Sequence, residues 1–316
     1  MSKIPMRGNF SQKFLTELTN GKLRDVIKYI LDDTEMDVQV RDNYLNIYYK
    51  GGNILRIKPQ TFFFDKFYFY LGHPNGYPKS HIEKVASGKE KEINHRTTRP
   101  IPSKSEAMDI VSNLDMMSNK LIQYLPENPE KFFSQAKSVM DSWFGIWSHQ
   151  ERHDQQEIST TNRSADSNSD LAVIDIEFAV STNKPYNKAK NKSGKDKVCR
   201  FDIIAVDHVG QLYVIELKQN EAADSIDNSA NVQVHRSDFD DTIGNDDQNL
   251  FAQEIAQVAA IKKTLGILPK SIHVDISATP IFAVAYSGDN PEIFNEKYRN
   301  EGLCVIEVLA DRKLKK

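Results

Sequence analysis

Two cysteines, Cys199 and Cys304, are all that a chain of 316 residues contains. They exclude a disulfide framework and read as reduced, partly buried thiols in strand-like sequence. No run approaches the ~20 apolar residues a spanning helix needs. The opening residues, MSKIPMRGNF, lack the apolar stretch of a secretion signal. The expectation is a cytoplasmic protein with no membrane partner. Strong net charge is missing too: 41 Lys+Arg against 44 Asp+Glu leave −3, so affinity for nucleic acid has to come from local patches. No second His or Cys stands at zinc-ligand spacing from His153 or His235, and both read as solvated. What is present is ordinary globular composition, 39% hydrophobic and 27% charged, in a length that suits two domains.

The first domain, residues 1–125, reads as a smaller α+β module with an expected binding or regulatory role. Apolar residues at Phe14, Leu15, Leu18, Leu23, Val26, Ile27, Ile30 and Leu31 keep helical spacing, and a break near Asn20-Gly21 predicts two short helices. Alternating runs at 36–41, 44–50 and 53–58 predict strands, with Gly51-Gly52 as a hairpin turn. The aromatic run from Phe62 to Tyr70 predicts another strand and core in preference to a base-stacking platform. Residues 73–105 read as loop, with His95, Arg96 and Arg99 solvated, and 104–124 as a helix.

The second domain, residues 126–316, opens with a helix from Asn128-Pro129-Glu130 to about Glu157. A polar loop at 159–170 leads to strands at 171–180, 200–207 and 211–218. Then come an acidic stretch at 221–247, a helix at 249–265, a strand at 273–286 broken at Pro280, and a last strand at 304–309. The lysine-rich loop from Lys184 to Arg200 is either a phosphate-neutralising patch or a solvated loop. The acidic stretch reads as disordered or as a lid.

The hairpin RFDIIAVD–HVG–QLYVIELK carries the chemistry. With Gly210 in the left-handed position of a three-residue loop, Asp207 faces Gln211 and Asp202 falls opposite Glu216. The two-residue period puts Glu216 and Lys218 on one face and Ile215 and Leu217 on the other. Two carboxylates and an ammonium on apolar strands suit a hard divalent cation, Mg²⁺ or Mn²⁺, with a lysine beside it. The bland alternative is a salt bridge between Lys218 and either acid.

Asp202, Glu216 and Lys218, within the order helix, three strands, helix, strand, resemble the PD-(D/E)xK nuclease superfamily. The resemblance covers about residues 130–290, and its specific part is 200–218. Phe201 stands where the family's name has proline. The resemblance implies a restriction-endonuclease-like mixed sheet flanked by helices, and hydrolysis of nucleic acid, DNA favoured over RNA, with Mg²⁺ or Mn²⁺. It implies that Asp202 and Glu216 hold the metal with the Leu217 carbonyl, and that Lys218 orients the attacking water or stabilises charge on the phosphate. It also admits a homodimer. A further acid is expected from Glu177, which shares a face with Asp175, or from Glu151 or Glu157 on the preceding helix. Gln257 or Gln253 is expected from the following helix. Two rival expectations are a non-catalytic protein of the same fold that binds nucleic acid or a protein, and an effector nuclease gated by a ligand at the N-terminal module.

Overall fold

The computed structural model describes residues 6–63, 86–87, 103–144, 150–164, 169–219 and 231–316. The calls on His95, Arg96 and Arg99, and on the aromatic run beyond Phe63, lie outside them. The chain divides into two compact units. One takes Met1–Gln12, Gln39–Asn43 and Glu151–Lys316; the other takes Lys13–Val38 and Tyr44–Gln150. In this division the main cut falls at 150/151, and no single cut separates the units.

The smaller unit holds helices Gln12–Thr19 (α1, less its first residue) and Arg24–Asp32 (α2), then strands Met36–Val40 (β1, less Gln39 and Val40, which belong to the larger unit), Leu45–Tyr49 (β2), Gly52–Ile57 (β3) and Phe62–Phe63 (β4). Helices Lys104–Ile122 (α3) and Pro129–Phe144 (α4) follow. The strands form one sheet in the order β1-β2-β3-β4. Tyr49 pairs with Gly52, so the turn residues are Lys50 and Gly51, at φ +47° and +77°. Positive φ at both positions is the type I′ geometry that matches strand twist, so the turn sits one residue before the expected Gly51-Gly52. Ser103 caps α3 by accepting from the Glu106 N–H. Asn128 accepts from Lys131 N at the start of α4, as the Asn-Pro-Glu signal predicts. The core includes Phe14, Ile30, Val38, Leu55, Phe132 and Phe133, with Tyr29 stacked 5.4 Å from Phe133.

The larger unit contains Gln150–Thr161 (α5), Leu171–Val180 (β5), Cys199–Asp207 (β6), Leu212–Lys218 (β7), Val232–Asp240 (α6) and a 3₁₀ turn at Ile243–Asn245. After them come Leu250–Thr264 (α7), Ile281–Tyr286 (β8), Pro291–Asn300 (α8), Cys304–Val308 (β9) and Leu314–Lys315 (β10). Six strands make a mixed sheet in the order β10-β9-β8-β7-β6-β5. β5, β6 and β7 are antiparallel neighbours, β7-β8 and β8-β9 are parallel, and β10 returns antiparallel to β9. Parallel pairing needs helical crossovers; α6 and α7 supply the first and α8 the second. Ile158, Val173, Ile203, Ile215, Leu217 and Ala283 belong to one fully buried cluster. At about 25 cal/mol per Å² of apolar surface removed from water, such a cluster dominates the sheet's stability.

The helix expected over 128–157 is described as α4 and α5, with 145–149 outside the described residues. Two differences from the sequence expectations have physical causes. β8 begins only after Pro280, which has no N–H for a ladder; before it, Asp275 accepts from both the N–H and the hydroxyl of Ser277 in a tight turn. The expected disorder of the acidic stretch is overturned where it is described. Residues 232–240 are α6, capped by Asn231 through Val234 N, with Phe239 buried against Phe201 and Phe282. Among the described residues no helix is long and apolar enough to cross a membrane. Both cysteines are free.

Candidate active site

The hairpin is built as its residues dictate. Gly210 adopts φ +92°, and Asp207 N donates to Gln211 O at 3.1 Å. A Cβ at Gly210 would also meet Asp275 N at 2.8 Å, so glycine is required twice over. The printed ladder runs from Val206↔Leu212 to Ile203↔Ile215, and one further step sets Asp202 across from Glu216. On the other side Ile176 pairs with Ile203 and Phe178 with Phe201, which sets Glu177 across from Asp202. The three acids therefore form a row across β5, β6 and β7. Lys218 lies two residues along from Glu216, in register with Tyr286 of β8.

The row interrupts the backbone ladders. Asp202 Oδ2 accepts from Leu217 N at 2.8 Å, a side chain taking the place of a ladder carbonyl. Its Oδ1 accepts from Gln155 Nε2 of α5 at 3.0 Å. Leu217, expected to contribute its carbonyl, enters here through its N–H. Glu177 sits at φ +52°, a conformation that costs a non-glycine residue about 1–2 kcal/mol. The residue before it is held at both ends: Ile176 N donates to Asp175 Oδ1 at 2.8 Å, and Arg41 Nη2 donates to Ile176 O at 3.0 Å.

The electrostatics of the row are unfavourable as it stands. Burial pushes the Asp202 carboxyl up to about 7, with the charges of Glu151 and Glu177 adding to the effect and the Leu217 bond and Lys218 opposing it. Burial also holds Glu216 well above the usual carboxylate range, with Asp202 reinforcing and Lys218 opposing. Partial desolvation raises the carboxyl of Glu151, which is exposed at the start of α5, with Lys218 opposing. Glu216 is 3% exposed; its Oε1 accepts from Lys218 Nζ at 2.7 Å, while its Oε2 has no partner. Gln155 Oε1, also buried, has none. A buried acceptor left unmade costs about 1–3 kcal/mol.

Of the expected residues, the structure brings Asp202, Glu216, Lys218, Glu177 and Glu151 within electrostatic reach of one another. It engages others elsewhere. Gln257, expected in the site, donates instead to the Gly8 carbonyl at 2.7 Å, because its face of α7 packs on the N-terminal segment. Gln253 donates to Gln248 O. Glu157 accepts from Arg312 Nε. The lysine loop is partly spent on internal pairs: Lys184 on Glu254 and Lys197 on Asp238, both at 2.7 Å, and Lys190 on Asp196. His153, Asp154 and Glu157 lie close enough to share an ion. However, Asp154 already accepts from Arg312, Gln219 and Ser287, so a guanidinium occupies that role.

His235 and Gln155 were not anticipated. His235, expected to be solvated, has its Nε2 3.1 Å from Glu216 Oε1. Burial lowers its pKa to about 4, with Lys218 and Lys197 adding to the effect, so it is neutral at physiological pH. Its i,i+4 spacing to Phe239 was the available signal.

A second buried charge cluster lies on β5. Asp175, fully buried, accepts from Arg7 Nη1 and from Arg41 Nη1, the latter at 2.6 Å. Glu254 accepts from Arg7 N and Lys184 Nζ, both at 2.8 Å. Lys262 Nζ donates to Gln39 Oε1 at 3.0 Å. Asp175 therefore belongs to this cluster, and Glu177, two residues on, to the acidic row.

A scan of protein-family models finds no match to this chain, and neither the curated proteins nor the solved structures contain one.

Proposed function

We propose that this chain is a metal-dependent nuclease of the PD-(D/E)xK type that hydrolyses phosphodiester bonds, with DNA favoured. The observation that carries the reading is the row Glu177, Asp202, Glu216 beside Lys218, in which the carboxyls of half-buried Asp202 and buried Glu216 are held up and Glu216 Oε2 stays unpartnered. A structural salt bridge accounts for Lys218 and one oxygen of Glu216. It leaves the other oxygen, and the raised Asp202, without a reason.

The donor set fits a divalent cation. Asp202 and Glu216 are the residues to hold it, and an ion would relieve both raised carboxyls. When bound, Mg²⁺ or Mn²⁺ supplies a hydroxide near neutral pH and offsets charge building on the phosphate. The rest is work for the chain itself. Lys218, fixed by its bond to Glu216, presents a compact ammonium suited to a phosphate oxygen or to the attacking water. Leu217 N–H and Gln155 hold the Asp202 carboxylate in orientation. The mixed sheet flanked by helices, with an antiparallel β5-β6-β7 meander and parallel β8, supports the reading at the level of fold class.

The test is cleavage of DNA and RNA, single- and double-stranded, with Mg²⁺ or Mn²⁺. Wild-type protein nicks or cuts at least one substrate. Lys218→Ala and the double variant Asp202→Asn/Glu216→Gln lose at least about 10²-fold while keeping wild-type circular dichroism. Undiminished cleavage by the double variant would overturn the assignment.

A further inference from the structure

We propose that the pocket formed by the end of β8 and the first two turns of α8 seats one unpaired nucleobase beside the scissile phosphate. Single-stranded DNA is then the preferred substrate, a substrate class that rests on the nuclease reading above.

Strand register puts this pocket next to Lys218. Tyr286 ends β8 as Lys218 ends β7, and the two pair in register on parallel strands. In-register neighbours project to one face of a sheet, so Tyr286 shares the face of Glu216 and Lys218. Ala283 and Ala285 share the opposite, fully buried face with Ile215 and Leu217. Beyond Tyr286 the chain is tied to the end of β7: Ser287 N donates to Lys218 O at 2.9 Å. Gly288 then passes so close that a Cβ there would lie 1.9 Å from Gln219 O and 2.7 Å from Tyr286 Oη. The crevice at the carboxyl ends of parallel strands is where open α/β sheets hold their ligands.

Size and lining select the occupant. Tyr286, Asn290, Ile293, Phe294 and Lys297 enclose about 200 Å³. A cavity of about 150 Å³ takes up a benzene ring, whereas sites for drug-sized ligands occupy about 300–1,000 Å³, so there is room for one planar ring system. Tyr286 and Phe294 stack at 4.4 Å into a single aromatic wall, and Ile293 stands 65% exposed on the rim. Lys297, one turn on from Ile293 and bonded to Tyr298 Oη at 3.2 Å, brings a positive charge suited to the phosphates that flank a base. Asn290 opens α8 at φ +57°, and its side chain makes no capping bond. Its amide offers a donor and an acceptor to a base edge. Beside a row that acts on a phosphodiester, the ring that arrives on the same strand as the phosphate is a nucleobase. It can enter only out of its stack, which costs least in a single strand.

The test is photocrosslinking of the full chain to single-stranded DNA carrying 5-iodouracil, without metal, so that binding is read apart from cleavage. Mass spectrometry should place the attachment within residues 286–297. It should weaken at least about fivefold in the double variant Asn290→Gly/Ile293→Ser. Glycine keeps the positive φ and serine replaces an exposed side chain, so that variant should retain wild-type circular dichroism. With Mg²⁺ or Mn²⁺ present, KM for single-stranded DNA should rise by a similar factor in the variant. One abasic residue at the seated position should raise KM as much in the wild type and add little in the variant, since both changes remove one contact. Attachment confined to other residues, or cleavage of duplex as efficient as that of single strands, would overturn the subsite and leave the nuclease reading standing. No DNA binding and no cleavage by the wild-type protein would remove both.

Discussion

The larger unit buries two clusters of charge on one sheet, and they are opposites. Around Asp175, two guanidiniums answer the carboxylate, and Lys184 and the Arg7 N–H answer Glu254. Despite complete burial, which pushes its carboxyl up, Asp175 is held below the usual range by Arg41 and Arg7. Around Asp202 and Glu216 the acids outnumber the cation, and both carboxyls are held up. Each has a buried carboxylate at its centre, Asp175 in one and Glu216 in the other, although Asp202 itself is half-buried; the supply of partners differs. A satisfied cluster is a structural element, whereas an unsatisfied one holds free energy that a ligand can release.

The same isosteric substitution should therefore act with opposite signs. Asp175→Asn strips the counter-charge from Arg7 and Arg41 and should cost about 3–5 kcal/mol in urea unfolding at neutral pH. The comparison breaks if that loss stays below about 1 kcal/mol. Next in size is the ion itself: at a hundred times its dissociation constant Mn²⁺ should stabilise the protein by about 2.7 kcal/mol, read as a rise in Tm. With Asp202 shifted from an ordinary value near 4 to about 7, the folded state binds the extra proton between those limits. The stability penalty from Asp202 is absent below pH 4 and complete above pH 7, so the rise with Mn²⁺ should be larger at pH 8 than at pH 5. Asp175 has the reverse sign, and its contribution is lost as pH falls below about 4.

Smaller effects sharpen the contrast. Asp202→Asn should stabilise the ion-free protein by about 1–2 kcal/mol at pH 8, and by nothing at pH 4. The asparagine oxygen can keep the Leu217 bond, and Gln155 can turn its unpartnered oxygen toward the new amide. A loss of stability at pH 8 would mean that the Asp202 charge is already compensated. Smallest is Glu177→Gly, which relieves a left-handed backbone and should gain about 1 kcal/mol in the same assay. It should weaken Mn²⁺ binding at the same time, and a gain in stability with unchanged affinity would remove Glu177 from the row.

What the sequence made legible was local. Gly210 and the two-residue period are enough to set Asp202 across from Glu216, because a short loop fixes register. Phe132, Phe133 and Ala136 make the amphipathic stripe that marks α4. What stayed hidden depends on distant partners: nothing near Asp175 in the chain announces Arg41 or Arg7, 134 and 168 residues away. His235 looked solvated because no second His or Cys stands at ligand spacing from it; the docking of Phe239 places it beside Glu216. Helix α8 could have been found, since Asn290-Pro291-Glu292 is a helix start followed by Phe294 and Tyr298. Gln257 misled because one helical face says nothing about which neighbour it meets.

The partition of the chain has a consequence for gene dissection. A fragment encoding residues 151–316 carries Glu151, Glu177, Asp202, Glu216, Lys218 and His235, and so looks self-sufficient. It omits Arg7, Gln39 and Arg41, the partners of Asp175 and Lys262 and the group that grips the Ile176 carbonyl ahead of Glu177. Such a fragment should be produced insoluble, and co-expression with residues 1–150 should rescue it as a complementing pair. The N-terminal region would then be required for assembly even by a protein whose chemistry lies wholly beyond it.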